Sequence, residues 1–283
     1  MDWCNTEGMT PEDTYPKMSH ALNATGRHIH LNMCEWGRDK PWEWGPAVAQ
    51  SWRATGDHTP VWESTKAIIE QRTAIPPTLG GAAYAWNDMD MLETGNYAQA
   101  AHANGKAGTM SADEYRTEFS MWAILASPLV VTTPILNCSS TDQISGKYTP
   151  AACRPSLTAL QRQILLNTEV LAINQDTTPA GRLAVPTQAS STTVALVYAR
   201  HLSDGSAAVA LYNPNDEAVG GAFDFGALGW SSSTSAAVRD LWAHKDLGSV
   251  TGRFPHSGGS VSVAPHATML LRLTPHKAHL VEA

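Results

Sequence analysis

The 283-residue sequence is poor in charge, in phenylalanine and in long apolar runs. Charged residues make up 16% of it, well below the about one quarter usual in globular domains. No run of about 18 apolar residues occurs, so no membrane-spanning helix is expected. The best stretch, residues 121–135, is short and contains Ser127 and Pro128. Internal repeats and long runs of like charge are also missing, which argues against solenoids and charged tails. A net charge of -7 argues against nucleic acid or an anionic membrane surface as partner. Only four cysteines are present, and none has the spacing of a structural zinc site.

The residues present are more informative. The length suggests two domains. Ten tryptophans stand against four phenylalanines. Tryptophan offers a flat apolar face and one N–H donor, which suits stacking on a sugar ring as well as core packing. Cys138 and Cys153 flank a polar stretch and read as a loop closed by a disulfide, hence an oxidising compartment. The sequons Asn23-Ala24-Thr25 and Asn137-Cys138-Ser139 point the same way. Cys4 and Cys34 could pair with each other, but both sit at apparent strand ends.

Helical and extended patterns alternate over the first 178 residues. Helices are expected at 11–24 (Thr10 as N-cap, Gly26 as stop), 44–50, 61–72, 112–126 and 157–174. Strands are expected at 28–34, 50–54, 82–86 and 129–133. Such alternation implies a parallel sheet with helical crossovers. Polar residues gathered just past the strands suggest the carboxyl-terminal face of a barrel. Asp2 would end an earlier strand, so roughly half to two-thirds of an eight-stranded barrel is expected. A turn-rich linker, residues 177–181, follows. Beyond it, runs rich in Val, Thr and Leu at 193–199, 207–213, 238–242, 260–263 and 268–273 read as an antiparallel β-sandwich. The expected domains are 1–178 and 179–283.

Four short segments carry the chemistry: Asp2-Trp3-Cys4, Cys34-Glu35-Trp36-Gly37, the run from Ser51 through Arg53 to Asp57, and Trp86-Asn87-Asp88-Met89-Asp90-Met91. In this order they resemble the motifs of the α-galactosidases (melibiases) of glycoside hydrolase family 27. The run Leu171-Ala172-Ile173-Asn174-Gln175-Asp176 and the segment from Asp240 to Gly248 are also similar to that family. The resemblance covers nearly the whole chain and implies a (β/α)8 TIM barrel, here from about the fourth strand onward, followed by an antiparallel β-sandwich.

It implies roles as well. Asp2 matches the nucleophile, Asp57 the general acid/base, and Arg53 an arginine contacting the nucleophile or the sugar. Cys34, Glu35 and Trp36 match the wall that shapes specificity at the ring 2-position, and Asp88 and Met91 the far side of the pocket. The expected substrate is a galactose-terminated oligosaccharide or glycoconjugate, with no cofactor. The alternatives are another specificity of the family, α-N-acetylgalactosaminidase or β-L-arabinopyranosidase, and a non-catalytic carbohydrate-binding fragment. Retaining hydrolysis needs two carboxyls about 5–5.5 Å apart, one ionised and one holding a proton. Neighbours in a strand point to opposite faces, so the pair must come from different strands, as Asp2 and Asp57 would. His28 and His30 alternate along one expected strand face, but no ligand set accompanies them and no metal is expected.

The chain departs from the family at its start. The residues that hold the 4- and 6-hydroxyls, and the lysine before the nucleophile, have no counterpart, so the chain reads as amino-terminally truncated. Family members pair the cysteine after the nucleophile with one upstream, so Cys4 is expected to be unpaired. The location implied is secreted, or lysosomal or vacuolar.

Overall fold

A computed structural model describes residues 1–81, 84–97, 108–138, 153–185 and 192–276. Among these no helix is long and apolar enough to cross a membrane. The first region runs α1 (Pro11–Asn23), β1 (Asn32–Met33), α2 (Pro41–Trp44), β2 (Ser51–Arg53), α3 (Trp62–Ala74), β3 (Trp86–Asp88) and α4 (Ala112–Ile124). A short hairpin, β4 (Leu136–Cys138) and β5 (Cys153–Pro155), comes next, then α5 (Ala159–Leu165) and α6 (Thr168–Asn174).

The helices start where their sequences favour it. α1 opens on Pro11, with Glu12 and Asp13 in its first turn facing the positive end of the helix dipole. Thr10 occupies the N-cap but caps no backbone N–H; its hydroxyl donates to Asp13 Oδ2 at 2.6 Å. α4 opens on a complete capping box between Ser111 and Glu114. The helix expected over 157–174 is two helices. Asn167 caps the second by accepting from Glu169 N and Val170 N, which breaks the run.

β1, β2 and β3 pair in parallel, in that order. A parallel bridge between Asp2 and Cys34 extends the sheet on one side, and another between Leu92 and Val131 continues it beyond β3. Five parallel segments thus form part of a barrel wall, with helices between them. The strands are shorter than the sequence suggested. Only Asn32 and Met33 of the run 28–34 form strand, and the run 129–133 contributes the single bridge at Val131. The strand expected at 82–86 begins at Trp86; residues 82–83 lie outside the described residues.

The second region contains β6 (Arg182–Leu183), β7 (Leu196–His201), β8 (Ala207–Tyr212), β9 (Val219–Gly221), β10 (Phe223–Asp224), β11 (Ser235–Asp240), β12 (Lys245–Thr251), β13 (Arg253–Phe254), β14 (Val261–Val263) and β15 (Thr268–Pro275). Six strands form an antiparallel sheet in the order β12-β11-β15-β8-β7-β6. The pairs β9–β14 and β10–β13 lie over one face. β12 was not anticipated; six of its seven residues are exposed, so it lacks an apolar alternation.

The large sheet serves two cores. Ala207, Val209 and Leu211 belong to the sandwich core, while Ala208, Ala210 and Tyr212 pack with α3, α4 and α6. Every residue of β8 is therefore buried, because alternate side chains meet different layers. Arg200 secures the junction. It is 1% exposed and donates to the carbonyls of Ala123, Ile173, Asp176, Pro179 and Thr178 at 2.7–3.2 Å.

Candidate functional site

Asp2, Cys34 and Arg53 lie at the same end of adjacent parallel segments. Tyr15 of α1 seats the first two. Its buried hydroxyl lies 3.0 Å from Met1 O and 3.1 Å from Cys34 O, and accepts from Cys34 N at 3.2 Å. The backbone on both sides of the bridge at Asp2 is thereby pinned. The Asp2 carboxylate, exposed in this chain, neighbours the Cys34 thiol across the bridge. Burial, and then that carboxylate, push the thiol up to about 12, so Cys34 stays a neutral thiol. Cys4 and Cys34 are both free thiols.

Arg53 is 9% exposed and sits at the centre. Its guanidinium pairs with Asp57 Oδ1 at 3.0 Å and with Asp90 Oδ1 at 2.9 Å, and reaches Cys34 Sγ at 3.8 Å. Asp57 Oδ1 also accepts from Trp36 Nε1 at 3.0 Å. Oδ2 of Asp57 takes no hydrogen bond among the described residues, and the carboxyl is 70% exposed. One oxygen is clamped and the other is presented. Arg53 therefore holds Asp57 and Asp90, and makes no hydrogen bond or ion pair with Asp2 among the described residues.

The loop of residues 34–40 is bent tightly over the end of β2. Gly37 has φ +74°, and a Cβ there would stand 2.5 Å from Ala54 O, so only glycine fits. Trp36 adopts φ +61°, a strained setting that turns its indole N–H to Asp57. Glu35 is 2% exposed; Oε2 accepts from Asp39 N at 2.8 Å and Oε1 has no partner. Burial raises it to about 7.

Asp88 and Met91 stand on the next segment. Asp88 accepts from Asn32 Nδ2 at 2.7 Å and from Asp90 N at 2.9 Å, so it braces the loop from inside. Met91 is exposed. Cys138 and Cys153 are directly opposed in the β4–β5 register; their side chains, and the loop 139–152 between them, lie outside the described residues. Among the described residues no group of three or more His, Cys, Asp or Glu could hold a metal ion.

Two supporting residues were not anticipated. His58 follows Asp57, is fully buried, and donates its backbone N–H to Asp90 Oδ2 at 2.7 Å. Its ring lies 3.0 Å from both Met91 O and Thr65 Oγ1. Glu118 of α4, also fully buried, accepts from Glu93 N and from Thr94 Oγ1, and lies 3.6 Å from His58 Nδ1. A carboxylate inside the apolar stretch of α4 was the available signal.

Burial raises Glu118 to about 8 and lowers His58 to about 4. The signs oppose. Folded Glu118 keeps a proton that the unfolded chain releases, so stability falls as pH rises from about 4.5 to about 8. Folded His58 refuses a proton that the unfolded chain takes, so stability falls as pH drops from about 6.5 to about 4. Glu118→Gln is expected to flatten the decline of Tm between pH 5 and 8, a difference of a few kcal/mol at the alkaline end. Melting curves across that range check it; an unchanged slope would mean Glu118 does not hold its proton.

With this geometry in place, comparison with known proteins is direct. The family model for alpha galactosidase A matches residues 1–146, and that for the alpha galactosidase C-terminal beta sandwich domain matches residues 193–273. Alpha-galactosidase 3 of Arabidopsis thaliana is 36% identical over 251 residues, 87% of this chain and 49% of the relative. The alpha-galactosidase of Cyamopsis tetragonoloba is 31% identical, over 97% of this chain and 57% of the relative. Among solved structures, alpha-galactosidase I from Mortierella vinacea superposes with a TM-score of 0.72 at 26% identity, covering 93% of this chain and 62% of that one. The fold is thus a glycosidase barrel segment joined to a β-sandwich. The chain belongs to the alpha-galactosidase family, and it spans between about half and 60% of the length of the curated relatives it matches first.

Proposed function

We propose that the protein is a retaining α-galactosidase that removes terminal non-reducing α-D-galactose from oligosaccharides or glycoconjugates. One observation carries the reading beyond family membership. Asp57 is clamped through one oxygen by Arg53 and Trp36 and presents the other, on a different strand end from Asp2. Asp2 attacks the anomeric carbon while Asp57 protonates the departing glycosidic oxygen. Water then enters from the face the leaving group vacated. Asp57 takes its proton as it attacks, and the Asp2 ester opens. Arg53 fixes Asp57, Cys34 orients Asp2, and Trp36, Glu35, Asp88 and Met91 line the sugar site.

Buried Glu35, with one oxygen unbonded, favours an unsubstituted 2-hydroxyl over a bulky N-acetyl group. We read residues 1–178 as catalytic barrel and 179–283 as an accessory sandwich, Cys138–Cys153 as a disulfide, and the location as secreted or vacuolar. The test is hydrolysis of p-nitrophenyl α-D-galactoside by the intact protein, with the product anomer followed by NMR. Galactose released first as the α-anomer is expected. The N-acetylgalactosaminide should be cut about 100-fold less efficiently. Release of the β-anomer, or no hydrolysis, would overturn the proposal.

A further inference from the structure

Arg72, on α3, is 2% exposed, yet its side chain makes no hydrogen bond or ion pair among the described residues, and its Nε is an orphan donor. A guanidinium buried this deeply without a protein acceptor is costly unless something else in the adjoining space meets it. Native proteins keep such a charge when an anion or a set of hydrogen-bond acceptors meets it. Arg200, as deeply buried, shows the alternative, since carbonyl oxygens surround it. Among the described residues no carbonyl accepts from the Arg72 side chain.

The space beside Arg72 is a cavity of about 210 Å³ between α3 and the sandwich. Arg182, Thr73, Tyr198, Gly181 and Leu125 contribute to its lining. Two of its lining residues are arginines and none is a carboxylate. The Tyr198 and Thr73 hydroxyls, 2.9 Å apart, lie on the same wall. Burial lowers Arg72 to about 10.

We propose that this cavity is an anion site, in which Arg72 and Arg182 hold a small inorganic oxyanion of phosphate type at the junction of barrel and sandwich. A planar guanidinium fork matches two oxygens of such an anion. Arg72 comes from α3 and Arg182 from β6, so the bound anion cross-links the two regions. The site is separate from the carboxylates at Asp2 and Asp57, and its test does not depend on catalysis.

The test is thermal unfolding of the intact protein against phosphate, at ionic strength held constant with a bulky organic salt. Wild type is expected to gain about 5 °C in a saturable manner. Arg72→Met is expected to lose that response, and to melt no lower than wild type without phosphate. Calorimetry should give one phosphate per wild-type chain and none for Arg72→Met. Arg182→Met, at an exposed position, should fold in any case and bind about tenfold more weakly. An equal phosphate response in wild type and Arg72→Met would show an adventitious ion only and overturn the site. So would a flat wild-type titration, or unaltered binding by Arg182→Met should Arg72→Met not fold.

Discussion

Asp2→Gly is expected to lower kcat/KM for p-nitrophenyl α-D-galactoside about 10⁴-fold or more, and Asp57→Gly by about 10²- to 10⁴-fold. The difference follows from the proposed roles. With Asp2 as nucleophile, its loss leaves no covalent intermediate. With Asp57 as acid/base, its loss leaves the first step wherever the leaving group departs unaided and removes only the activation of water. Azide separates the two. In Asp2→Gly it occupies the space of the lost carboxylate and attacks from that side, giving β-galactosyl azide. In Asp57→Gly it attacks the galactosyl-Asp2 ester from the vacated face, giving α-galactosyl azide. Exchanged products would mean the roles are reversed, and two unimpaired variants would remove both residues from the chemistry. Arg53→Gln should resemble Asp57→Gly in direction, since it frees both Asp57 and Asp90.

Arg200→Met is expected to cost about 4 kcal/mol or more, lowering Tm by about 10 °C or more. Replacing a buried ion by an apolar side chain is often harmless when nothing else is stranded. Here five carbonyls lose a donor, and only that of Ala123 keeps a backbone partner among the described residues. Ala123 and Ile173 stand in the last turns of α4 and α6, where the negative ends of two helix dipoles converge on one guanidinium. Arg200→Lys should rescue little, because three donors on a single nitrogen cannot reach a set arranged for a planar fork. Differential scanning calorimetry decides the matter; a loss under about 1 kcal/mol would mean that the carbonyls find other donors. The contrast with Arg72 is instructive. Two buried arginines on one chain are expected to respond oppositely to the same substitution, because one donates to five carbonyls and the side chain of the other makes no hydrogen bond among the described residues.

Much of the fold was legible in residue order. Helices α1, α3 and α4 begin within a residue of their expected starts, because apolar spacing, prolines and acidic first turns are local signals. The strands β7, β8 and β15 were likewise visible as Val-, Leu- and Ala-rich runs. β12 was not, because an edge strand with six exposed residues has no buried face to imprint a pattern. The split between α5 and α6 was hidden because Asn167 continues a helical apolar spacing while its side chain caps the next helix.

The site divides the same way. The sequence by itself determined which residue types stand at the strand ends: Asp2, Cys34, Glu35, Arg53, Asp57 and Asp88 are all recognisable there, because each motif lies within a few residues. Which of them touch was decided by the tertiary structure alone. Arg53 joins Asp57 to Asp90 across 33 residues of chain, Tyr15 pins the backbone around Asp2 from a helix, and Glu118 reaches the loop of residues 91–94 from another. Burial, too, is a property of the assembled layers. Nothing local in the sequence distinguishes Arg72 from Arg200, yet packing leaves one in a cavity with an uncompensated charge and folds two helix ends around the other.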